Sequence, residues 1–103
     1  MANLKRSKPL EILERVIRNL PIKRKVVLRY ADTDLARVYF GYGQDGNGDF
    51  HGAWGFTRHP GFARTLEFRH GVSEAMVAIS LISDAYDFLE QMKARDMFKS
   101  ANG

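Results

Sequence analysis

Apolar residues fall three and four apart in LEILERVIRNL, where Leu13, Val16, Ile17 and Leu20 share one side of a helical wheel. Lys8-Pro9 precedes this run and supplies a proline suited to the first helical position, and Pro21 ends it. The spacing then changes. KVVLRY, residues 25–30, is rich in β-formers, and Val26, Leu28 and Tyr30 alternate onto one side, which predicts a strand. Asp32-Thr33-Asp34 predicts a turn in which Asp bonds its own backbone.

Two further strands are expected over residues 35–43 and 50–57. Pairing Gln44 with Phe50 leaves a five-residue loop and sets Tyr42 opposite Gly52, Phe40 opposite Trp54 and Val38 opposite Phe56. One face then collects Val38, Phe40, Tyr42, Phe50, Trp54 and Phe56, and the other Arg37, Tyr39, Gly41, Gly43, His51, Ala53, Gly55 and Thr57. A two-residue turn at Asn47-Gly48 is the stronger local hairpin signal. It shifts the register by one, splits the aromatics between both faces and sets Arg37 against Arg58, so the longer loop is preferred.

Arg58-His59-Pro60-Gly61 reads as a turn, and Thr65 to Arg69 as a short final strand. Ser73 is a natural N-cap for a long helix over residues 73–98, with Ala75, Ile79, Ile82, Ala85, Leu89 and Met92 as its buried stripe. Ser80, Ser83, Asp84, Asp87, Glu90 and Gln91 mark its wet side. The fold class expected is therefore α+β: an N-terminal helix, an antiparallel meander of three to four strands and a long C-terminal helix. Residues 1–103 read as one domain, with 1–8 a basic, flexible arm and 99–103 a frayed tail.

Composition narrows the chemistry. An apolar share of 45% speaks against disorder, and the absence of cysteine removes disulfides, thiolate zinc sites and thiol catalysis. No apolar stretch is long enough to cross a bilayer, and a cytoplasmic location with no membrane partner is expected. The net charge of +4 is uneven: residues 1–30 hold nine Lys or Arg against two Glu, while residues 31–70 and 71–103 are slightly acidic. That layout suits an acidic protein surface or a polyanion. Lys5, Arg6 and Lys8 before the first helix and Lys23, Arg24 and Lys25 after it are the candidate contacts to phosphate or to an acidic surface.

Gly41-Tyr42-Gly43-Gln44-Asp45-Gly46 fits G-x-G-x-x-G, but a strand follows it where a dinucleotide fingerprint needs a helix N-terminus. DGNGD, residues 45–49, resembles the start of a calcium loop; Phe50 and Phe56 stand where such a loop requires Gly and Glu. The segment reads as a hairpin loop, with Gly46 and Gly48 free to take positive φ and the Asp side chains capping local amides. Three histidines without a carboxylate cluster do not specify a metal site. Asp32 and Asp34 lie about one strand length, roughly 25 Å, from Asp45 and Asp49, too far for a catalytic dyad. No catalytic residue, cofactor or metal is assigned.

The polar sheet face, with Arg29, Arg37, Tyr39, His51 and Thr57 among small residues, is the candidate partner-binding surface. The order helix, strands, helix resembles that of the double-stranded RNA-binding domain, though HGVSEA, residues 70–75, stands where that family has a lysine-rich helix start, so its binding residues are not carried over. The reading is of a non-catalytic protein that occupies the surface of a partner protein or nucleoprotein complex, in general profile similar to inhibitors that phages direct at host nucleic-acid machinery. The alternative is a basic module that grips double-stranded DNA or RNA through phosphates. A homodimer is compatible with either.

Overall fold

The computed structural model describes residues 8–56, 59–69 and 71–95; of the basic arm only Lys8 falls among them, and the expected tail lies outside. The elements are α1 (Lys8–Arg18), β1 (Arg24–Asp32), β2 (Arg37–Gln44), β3 (Phe50–Phe56), β4 (His59–Phe68) and α2 (Glu74–Ala94). The strands form one antiparallel sheet in the order β1-β2-β3-β4. The α+β class stands, with four strands. The last strand begins at His59, so the turn expected over Arg58 to Gly61 is replaced, in its described residues, by the start of β4.

The β2–β3 register is the expected one: Val38 faces Phe56, Phe40 faces Trp54, Tyr42 faces Gly52 and Gln44 faces Phe50. Their loop is held from within, Asp45 Oδ1 accepting from the amides of Asn47 (2.8 Å) and Asp49 (3.0 Å). Gly48 alone in this loop takes the left-handed φ, at 91°; Gly46 does not need it. In the β1–β2 turn the capping group is Thr33, not an Asp. Its hydroxyl donates to Ala36 O (2.7 Å) and accepts from the amides of Leu35 and Ala36. Asp32 instead receives Arg37 through two hydrogen bonds.

The aromatic face packs against α2. Trp54 stacks on Phe56 with centroids 6.0 Å apart and meets Phe88 of the helix at 5.6 Å. Each such side chain, fully buried, contributes about 2–3 kcal/mol by removal from water. The residues of α2 that face this core are Val77, Leu81, Ala85, Leu89 and Met92. The expected stripe holds in the second half of the helix, where Ala85, Leu89 and Met92 are buried, and fails in the first: Ala75 and Ile79 are exposed, Ile82 is half-buried, and Val77 and Leu81 take their place. The helix carries apolar residues on two rows, so the wheel alone does not choose between them. Two polar tethers do. Trp54 Nε1 donates to Asp84 (2.7 Å) and the Tyr42 hydroxyl donates to Glu74 (3.0 Å), which turns both carboxylates, expected to be wet in the case of Asp84, toward the sheet.

The opposite face is covered by α1. Leu13 and Ile17 bury against Tyr39 and Ala53, with Leu10, Val16, Leu20, Ile22 and Leu28 around them. The sheet is therefore enclosed on both sides, one helix to each face.

Candidate functional site

The position of α1 decides what the polar face can present. Tyr39 is only 8% exposed and belongs to the second core cluster. His51 is buried as well, and its Nε2 lies 2.8 Å from Asp45 Oδ2, so its polar edge is engaged across the hairpin. Both sit where the sequence placed them on the sheet, but Tyr39 lies under α1 and the polar edge of His51 is taken up by Asp45. Gly41 and Gly43 explain how closely that cover sits: a Cβ on Gly41 would lie 2.6 Å from Leu28 Cδ2 and 3.4 Å from Ile17 Cδ1, and one on Gly43 would strike Ile22. The small residues admit the chain's own α1 and its following segment.

Arg29 does not share this face. It pairs with Phe40, which places it on the α2 side, whereas Tyr30 pairs with Tyr39 and Asp32 with Arg37. Arg37 remains exposed at the start of β2. Its guanidinium bonds Asp32 and lies 4.2 Å over the ring of Tyr30, so it is held in place by its own neighbours. Thr57, Lys5 and Arg6 lie outside the described residues, and Lys8 opens α1. Lys23, Arg24 and Lys25 are all exposed where the chain enters β1. They form the compact basic cluster among the described residues. Lys25 takes φ 56° at a bulge that breaks the β1–β2 register between Arg24 and Val27.

A surface that sequence reasoning missed lies on the outer side of α2. Met76, Ile79 and Tyr86 are 58%, 62% and 41% exposed, and with Ser83 they follow the helical repeat along one stripe facing away from the sheet. Acidic groups border it. Glu90 accepts the Tyr86 hydroxyl, which with the nearby charge of Asp34 raises the phenol above its usual range, and exposed Asp87 lies beside it. Of this row only Ile79 was expected in the buried stripe; Ser83 was expected on the wet side, and Met76 and Tyr86 on neither.

A depression of about 580 Å³ opens near the end of β4, lined by Asp49, Glu67, Phe68 and Arg69. Its mixed charges do not converge on one point. Among the described residues no three His, Asp or Glu side chains are grouped to hold a metal ion, and no helix is long and apolar enough to cross a membrane.

Comparison with known proteins gives no family: no family model matches the chain, and no curated protein or solved structure does either. Among the described residues the surface offers an apolar stripe with an acidic border on α2 and a basic cluster at the entry to β1.

Proposed function

We propose that the protein is a non-catalytic binding protein that acts by occupying the surface of a partner protein, and that the outer stripe of α2 makes the contact. One observation carries this reading: a helix already anchored by a full buried row keeps Met76, Ile79 and Tyr86 in water on its other side. Leaving three large apolar side chains aligned in solvent has no structural return, and such stripes mark docking surfaces. Asp87 and Glu90 at its border suit a hydrophobic groove edged by Lys or Arg.

Ile79 is exposed, so Ile79→Asp leaves the thermal midpoint close to wild type, within the roughly ±0.5 kcal/mol of ordinary surface changes. A photo-crosslinking residue at position 79 captures a discrete partner protein in cell extract; the same residue at exposed Glu11 does not, and Met76→Asp abolishes the capture. Equal capture from both positions, or a large fall in thermal midpoint on Ile79→Asp, rejects the reading. Exposed Lys23, Arg24 and Lys25 favour a second reading, contact with nucleic-acid phosphates, whose salt dependence tells it apart.

A further inference from the structure

The sheet has two edges, and they differ. The β4 edge contains Pro60, and its register with β3 is irregular between Gly55 and Phe56. The β1 edge has no described element beyond it. Along it Val26 and Tyr30 stand 56% and 57% exposed, two residues to either side of Leu28. The Tyr30 ring is already ordered, lying under the Arg37 guanidinium at 4.2 Å and 6.2 Å from the ring of Tyr39.

We propose that the free edge of β1 pairs antiparallel with the β1 edge of a second copy, about a two-fold axis at Leu28, joining the two sheets into one. The strand's own pattern of exposed Val26 and Tyr30 about Leu28 suits it to a second copy, and charge chooses the register. Shifting such a pairing by one residue opposes positions whose free backbone groups point away from each other, so only even shifts are open. Centred on Leu28, the pairing sets Val26 against the partner's Tyr30 and Arg29 against the partner's Val27. An apolar residue meets an aromatic, and no like charges meet. Centred one residue later it would oppose Arg29 to the partner's Arg29; centred one residue earlier, Lys25 to the partner's Arg29. The bulge at Lys25 bends the edge before Val26 and limits the ladder to residues 26–30 and their immediate neighbours. A bulge and charged side chains also guard an edge against unselective pairing. Of the registers centred on Val27, Leu28 and Arg29 only that on Leu28 sets no like charges opposite, and an isologous contact of this kind closes as a dimer.

The absence of cysteine makes the register directly testable. Sedimentation velocity of the wild type shows a concentration-dependent shift from monomer to dimer. Val26→Cys and Tyr30→Cys, mixed and oxidised, give a disulfide-linked dimer about tenfold more readily than either variant alone, because each Cys faces the other kind and two copies of the same Cys stand about 13 Å apart along the ladder. Both positions are exposed, and unchanged thermal midpoints of the reduced variants confirm that they fold. A chain that stays monomeric to about 1 mM overturns the proposal. So does equal crosslinking by a single variant, which would mean another register, or a cysteine at Ile79 that crosslinks in place of the edge pair.

Discussion

Asp45 closes the β2–β3 loop with one carboxylate: Oδ1 takes the two loop amides and Oδ2 meets His51. The bond to His51 first, and those amides after it, hold its pKa below the usual carboxylate value. Asp32 is lowered in the same way by Arg37. The sign follows from which state takes up protons. On acidification the unfolded chain protonates near pH 3.9 while folded Asp45 resists to lower pH, so its contribution is whole above that point and is lost as pH falls through it and below. Asp45→Asn is therefore expected to flatten the fall in thermal midpoint between about pH 5 and pH 2 relative to wild type. Parallel profiles would show that the loop draws nothing from the ionised carboxylate. That Asp45 caps its own loop was legible, since its partners lie two and four residues on. Its bond to His51 was not read, although the expected register sets Gly43 opposite His51, because it depends on how the loop turns the Asp45 side chain back over the strand.

At the scale of elements, the hairpin register was legible and the helix positions were not, for one physical reason. A one-residue slip in the strands would divide six core side chains between two faces, a penalty written into the local sequence. No comparable local penalty says which side of the sheet α1 covers, or which apolar row of α2 turns inward. The row Gly41, Gly43 and Ala53 does announce a close approach; its occupant is this chain's own α1 and Ile22, not another molecule. Gly43→Ala tests that approach. The added methyl group meets the Ile22 side chain, which can shift, and the Arg24 carbonyl at 3.1 Å, which is held in the sheet. An overpacking cost of about 1–3 kcal/mol is expected from urea midpoints at unchanged slope. Gly46→Ala serves as the control, with nothing within 4 Å of its Cβ and no positive φ to strain it, and is expected to match wild type closely. Equal stability of the two variants would mean that α1 and its following segment do not sit on the glycine row.

For the whole molecule the question is what the concentrated positive charge does. Residues 1–30 hold nine of the sixteen basic side chains, and Lys23, Arg24 and Lys25 stand exposed together at the entry to β1. The sequence made this asymmetry plain, and the fold does not neutralise it with a facing acidic element at those three positions among the described residues. If they meet three phosphates, the salt slope of duplex binding is about −2.7, a loss of roughly 40-fold between 50 and 200 mM salt. Three contacts are few: a dedicated nucleic-acid module holds its site at physiological salt through base contacts or many more phosphates. Fluorescence anisotropy is thus expected to show binding to duplex DNA or RNA at low salt that is lost near physiological salt, and Lys23→Gln, Arg24→Gln, Lys25→Gln together to remove most of it. Submicromolar binding that survives at physiological salt would overturn this and make the basic cluster, not the α2 stripe, the functional surface. The triple variant separates the two surfaces in the other direction as well, because capture of a partner through position 79 should persist in it undiminished.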